Sequence, residues 1–248
     1  MNGEHVRQLA YQLRLFGLHA AFERRTTEAV SQQLHPLEFL RLLLEDEALS
    51  RKDRLGKTLT TRAKFRHNGD LEDWDASFDR GISKQRFKEL ASLCFLQNFE
   101  SLLLFGRTGE GKTHLAISIG RRLCREGVHT FFLPVNHLFE EIAAARAAGK
   151  YLGFLKHINK AKVLILDDFG MRAYTHEEAT SLVEILEERY RKGAVIVTSQ
   201  VDDKGWKRLF EDPVVAEAIV DRLTQPSQKV VLTGGSYRER LAKLTHRA

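Results

Sequence analysis

Only two cysteines, Cys94 and Cys124, and four prolines occur among 248 residues. Two thiols cannot build a disulfide framework, which fits a reducing compartment and leads us to expect a cytoplasmic protein whose cysteines are small core residues. Seventeen glycines beside so few prolines exclude a collagen-like repeat. Apolar runs such as Leu102–Phe105, Val163–Leu166 and Ala194–Val197 are no longer than a buried strand, so no membrane-spanning segment is expected. The amino-terminal MNGEHVRQLAYQLRL breaks its apolar positions with Arg and Gln and does not read as a secretory leader. Internal repeats and low-complexity stretches are also lacking.

What the chain does have is apolar material for one or two ordinary cores, at 43% hydrophobic and 29% charged residues. Lysine and arginine number 39 against 33 acids, a net charge of +6 that is too small to name a partner. The excess is uneven. Between positions 51 and 66 lie Arg51, Lys52, Arg54, Lys57, Arg62, Lys64 and Arg66, opposed only by Asp53. Taken alone, such a run is most simply a solvated helix face.

Two textures divide the chain. Up to residue 68 it reads as helical, with Leu9, Leu13, Phe16 and Ala20 at helical spacing and Leu37, Leu40 and Leu44 after Pro36. The acidic, turn-forming Asn68–Asp75 suggests a boundary, giving a helical domain over 1–68, a linker over 69–80 and a second domain over 81–248. In the second, strands at 101–105, 130–133, 162–166, 194–198 and 229–232 alternate with helical stretches. That order predicts an α/β domain with a mostly parallel sheet. Thr175-His-Glu-Glu178 has the form of a capping box opening one of these helices.

The chemistry concentrates in Gly106-Arg107-Thr108-Gly109-Glu110-Gly111-Lys112-Thr113, a full G-x-x-x-x-G-K-[ST] loop between an apolar strand and a helix. Its glycines let successive backbone N–H groups turn inward onto phosphate oxygens, and the following helix adds its positive end. Lys112 is expected at the β- and γ-phosphates of ATP, and the Thr113 hydroxyl on Mg²⁺. With His114, these residues form the expected nucleotide-binding set. The strand Val163–Leu166 then delivers Asp167 and Asp168 to the sheet's carboxyl edge, the first for Mg²⁺ and the second for the attacking water. Ser199 and Gln200 end the fourth strand, where a polar side chain reaches the γ-phosphate or the water, although a plain turn reads equally well. The ten histidines show no metal-ligand spacing, so no metal apart from Mg²⁺ with nucleotide is expected.

Together GRTGEGKTHLA, VLILDDFG, LVEILEERY, VIVTSQ, DPVVAEAIVDRL and GGSYRERL resemble the IstB family, the ATP-binding helper proteins of insertion-sequence transposition. That family is related to the DnaC helicase loaders within the AAA+ ATPases. The likeness covers nearly the whole chain, including LRLFGLHAAF in the helical part. It implies a P-loop AAA+ core with strand order 5-1-4-3-2 behind a small all-helical amino-terminal domain. It implies further that Arg222 is an arginine finger reaching a neighbouring subunit's nucleotide, that Ser199 and Gln200 fall at the first sensor, and that Arg238 falls near the second. Duplex DNA, bound through Arg51–Arg66, a transposase of the same insertion sequence and an ATP-dependent homo-oligomer are the implied partners. Two other readings stand beside it: a helicase loader, built on the same core, and a small-molecule P-loop kinase, for which no acceptor pocket or arginine-rich lid is apparent.

Overall fold

The computed structural model describes residues 3–75 and 78–237, so the basic tail with Arg238 lies outside the described residues. The chain divides into two compact units, one running to Thr58 and including Arg125–Gly127, the other formed by Leu59–Cys124 and the chain from Val128 on.

In the first unit lie α1 (Gly3–Gln12), α2 (Phe16–Ser31) and the first part of α3 (Pro36–Arg62). Ala10, Leu18 and Leu43 bury one another, flanked by Leu15, Phe22 and Phe39. At Gly17 helix α2 crosses α3 so closely that an added Cβ would lie 2.6 Å from the Asp46 carbonyl oxygen, which leaves room for glycine alone. The buried Glu47 carboxylate accepts from the Gly17 and Leu18 N–H groups at 2.7 and 3.1 Å, satisfying two first-turn donors of α2.

The second unit contains the sheet. Its elements are α4 (Lys84–Ala91), β1 (Ser101–Phe105), α5 (Lys112–Arg125, to Cys124 within this unit), β2 (Thr130–Pro134), α6 (Val135–Ala147) and α7 (Tyr151–Asn159). There follow β3 (Val163–Phe169), α8 (His176–Arg189), β4 (Ala194–Ser199), α9 (Asp203–Trp206), α10 (Pro213–Thr224) and β5 (Ser227–Val231). The strands form one parallel sheet in the order β2-β3-β4-β1-β5, the order that the family likeness implies. Alternate residues of each strand serve opposite faces. Leu103, Leu164, Leu166, Val195 and Val197 enter a core with α6, α8 and α10; Leu102, Leu104, Ile165 and Ile196 enter another with α5. Covering on both faces explains why the strands read as unbroken apolar runs.

Thr175 opens α8 with the predicted box: its hydroxyl accepts from the Glu178 N–H at 3.3 Å, and the Glu178 carboxylate accepts from the Thr175 N–H at 2.9 Å. Helices α4 and α7 were not expected from the sequence, because each spans only eight or nine residues, too short for its apolar spacing to stand out. Cys124 is buried beside Leu59, Ala63 and Phe65, but Cys94 is exposed in a short turn and is not a core residue.

Arg189 holds the opposite end of the sheet from the phosphate loop. Buried to 3% exposure, it donates to the carbonyls of Ile158, Ala161, Lys162 and Ala194 at 3.0–3.4 Å. Burial lowers its pKa to about 10. Arg189→Leu removes a donor from each of these carbonyls, of which Ile158 and Lys162 keep a backbone N–H from Ala161 and Ala194. It is expected to cost about 3 kcal/mol of stability, read as a lower urea midpoint at unchanged slope. An unchanged midpoint contradicts this bracing role.

Candidate functional site

The loop Gly106–Gly111 leaves the carboxyl end of β1, the second strand from the β5 edge, and leads into α5. Gly106, Gly109 and Gly111 have φ of 149°, 88° and 98°, values that side chains resist, so the backbone curl depends on glycine at those points. Behind the curl the buried Glu110 carboxylate accepts from the Arg107 N–H, and the Lys112 ammonium donates to the Arg107 carbonyl at 2.8 Å. Arg107 thus contributes backbone to the loop's shape.

Asp167 and Asp168 reach the loop through an irregularity in β3. Leu166 pairs with Val197 and Phe169 with Ser199, so two residues of β3 stand opposite Thr198 alone. This bulge, with Asp168 at φ 60°, replaces the regular alternation of side chains. Thr198 fixes it: its hydroxyl donates to Asp167 Oδ1 at 2.7 Å and accepts from the Asp168 N–H at 3.0 Å. The Thr113 hydroxyl donates to the same Asp167 oxygen at 2.8 Å. Asp167 is fully buried and Asp168 partly exposed. Burial, then the like charge of Asp168, pushes the Asp167 carboxyl above its ordinary range, opposed by hydrogen bonds from Thr198 and Thr113 and by the charge of Arg66.

A cleft of about 650 Å³ opens over these groups, lined by Thr108, Gly109, Gly111, Lys112, Thr113, His114 and Asp168, and by Gln200 from the end of β4. Arg66, His67, Arg80, Met171 and Tyr237 complete its wall. Arg80 lies between aromatic rings, 3.8 Å from the Trp74 centroid and 4.2 Å from that of Tyr237. His114 stacks on His67, their centroids 5.7 Å apart, and burial holds its pKa below the usual histidine range. A cleft of this volume, with a glycine-rich anion cradle, an ammonium and an acidic edge, has room and charge for a nucleoside triphosphate.

The profile of the family described as IstB-like ATP binding protein matches residues 8–245. The chain belongs to that family. An insertion-sequence ATP-binding protein of Sinorhizobium fredii is 34% identical over 90% of this chain and 91% of its own length. The ATP-binding protein of insertion sequence IS21 from Pseudomonas aeruginosa is 33% identical over 93% of this chain and 87% of its own. Among solved structures, the DnaC helicase loader superposes with a TM-score of 0.54 at 22% identity, covering 69% of this chain and all of that one. This likeness is one of fold, and the fold is the AAA+ P-loop domain.

The other expected residues of this IstB-like chain separate in space. Gln200 faces the cleft and its side-chain oxygen accepts from the Thr108 hydroxyl at 2.8 Å. Ser199 turns into the core, where its hydroxyl donates to the Val201 carbonyl at 2.8 Å and accepts from the Trp206 indole at 3.1 Å. Arg222 lies at the other edge of the sheet, beside Ser101 and Gly193 where β1 and β4 begin, and its guanidinium donates to Glu187 at 2.6 Å. Of the basic run, Arg51, Lys52, Arg54 and Lys57 belong to the first unit, Arg62, Lys64 and Arg66 to the second. Arg51 donates to Glu47 at 2.7 Å and the Arg54 guanidinium lies 4.8 Å from the Phe16 ring centroid; both remain exposed, as does Arg62. Arg66 faces the acidic pair.

Sequence reasoning missed Thr198, Arg80 and Tyr237. Thr198 stands beside the noted Ser199-Gln200, but only strand register shows that its hydroxyl serves the two aspartates. Tyr237 lies in the GGSYRERL run that carries the family likeness, where no role was assigned to it, and nothing in the local sequence marks Arg80.

Proposed function

We propose that this IstB-like protein is a cytoplasmic ATP hydrolase that assembles as a homo-oligomer on duplex DNA and recruits or stimulates the transposase of its insertion sequence. The observation that carries the reading is the phosphate loop joined to the acidic strand end, with the Thr113 hydroxyl 2.8 Å from Asp167, in a member of this family. Two oxygen donors side by side suit a hard divalent cation, and Thr113 and Asp167 would hold Mg²⁺ with nucleotide. Mg²⁺ supplies charge neutralisation on the transferring phosphoryl group. Lys112 moves from the Arg107 carbonyl onto phosphate oxygens, Asp168 orients the water, and Gln200, at the cleft mouth, senses the γ-phosphate. Ser199, given its buried partners, holds α9 near that mouth rather than touching nucleotide. Arg222, remote from its own chain's cleft, serves a neighbour's.

Helicase loading is the second reading, favoured by the shared fold with the DnaC loader. Gel shift on duplex and single-stranded DNA with ATP, ADP or no nucleotide separates the two. The transposition reading expects ATP-dependent complexes on duplex; ATP-dependent preference for single strands in the presence of a helicase favours loading. With Arg51, Lys52, Arg54, Lys57, Arg62 and Lys64 contacting phosphates, affinity is expected to fall by about 10³-fold or more between 50 and 200 mM salt. Affinity indifferent to salt contradicts the DNA-contact part of the proposal.

A further inference from the structure

Arg66 comes four residues after the end of α3 and places one guanidinium nitrogen, Nη1, 3.4 Å from Asp167 Oδ2 and 3.4 Å from Asp168 Oδ2. The same two carboxylates are those assigned above to the divalent cation and to the water. A single positive group therefore bridges the two acids at the mouth of the cleft, its side chain 44% exposed while Asp167 is fully buried. The bulge pinned by Thr198 turns both carboxylates toward one point, where their charges repel unless a cation stands between them. A guanidinium delivers one charge through long contacts. Mg²⁺ delivers two through short ones.

We propose that Arg66 is a nucleotide-site residue, the internal counter-ion of Asp167 and Asp168, which the divalent cation arriving with nucleotide must displace. This rests on the reading that Mg²⁺ binds at Thr113 and Asp167. Half-exposed, Arg66 leaves the acidic pair without opening a cavity, so displacement costs only the ion pair itself. The residue thereby sets how much Mg²⁺ the site requires and guards the acidic pair against charge repulsion while the site is empty. It also separates Arg66 from the other basic residues of the 51–66 run, since the acids it meets belong to the proposed nucleotide site, whereas Arg51 pairs with Glu47 and Lys64 lies 4.0 Å from Glu141.

The test is a Mg²⁺ titration of fluorescent ATP-analogue binding to the full chain and to Arg66→Gln, with a parallel measurement in EDTA and thermal melts to check folding. The Mg²⁺ concentration at half-saturation is expected to fall about 3- to 10-fold in the variant, while affinity in EDTA falls, because two uncompensated carboxylates then face the triphosphate. An unchanged or raised Mg²⁺ midpoint overturns the proposal, as does equal weakening with and without Mg²⁺, which would make Arg66 a direct nucleotide ligand. Should the wild-type chain gain nothing from Mg²⁺, the Mg²⁺ reading itself fails, a result separate from any effect of Arg66. Arg66→Lys, which keeps the charge, is expected to restore most of the wild-type midpoint; a midpoint like that of Arg66→Gln overturns the counter-ion role.

Discussion

Lys112→Ala is expected to weaken ATP binding by at least about 10²-fold and to abolish ATP-dependent assembly on duplex DNA. Lys112 is 6% exposed, and its ammonium is directed into a loop rich in backbone N–H donors. Arg107, the other cation of the loop, is exposed and does not line the cleft, and Glu110 is an acid. Alanine retains the loop's glycine geometry, so the variant is expected to melt close to wild type. The loss is then chemical rather than structural. Equilibrium binding of a fluorescent ATP analogue, with phosphate release on duplex DNA, measures it; a hydrolysis rate equal to wild type would sink the site assignment.

Arg222→Ala is expected to lower ATP turnover by about 10³-fold while leaving nucleotide affinity within a few-fold of wild type. Within one chain Arg222 cannot attend its own nucleotide, because it sits where β1 and β4 begin and the phosphate loop leaves where β1 ends. Its present partner is Glu187, a half-exposed carboxylate whose ion pair costs at most about 1 kcal/mol to break. A neighbouring subunit's γ-phosphate would offer more charge than Glu187 does. Mixing Arg222→Ala with Asp168→Asn chains tests the proposed trans arrangement, since mixed interfaces would join an intact Arg222 to an intact Asp168. Partial recovery of turnover is expected at intermediate ratios; no recovery at any ratio counts against it.

Much of the second unit was readable in order. Apolar runs marked β1, β3 and β4, although β3 continues through both aspartates to Phe169, and Thr175 to Glu178 marked the start of α8, because strands buried on both faces and helix caps leave local signatures. The short α4 and α7 were not readable, since neither carries a long periodic face. At the site, the loop and the acidic pair were visible as motifs. Ser199 and Gln200 looked equivalent in sequence, yet neighbouring residues at a strand end point different ways, and Ser199 is spent on Trp206 while Gln200 meets Thr108.

By itself the sequence determined the chemistry of the phosphate loop, the alternation that builds a parallel sheet and the unequal distribution of its positive charge, because each of these is encoded over a few consecutive residues. Tertiary structure alone decided which distant groups meet. A one-residue bulge opposite Thr198 aims two aspartates at one point, and the chain beyond α3 brings Arg66 to them across a hundred residues of sequence. Contacts of that kind depend on strand register and on the path of the backbone, so no local pattern announces them.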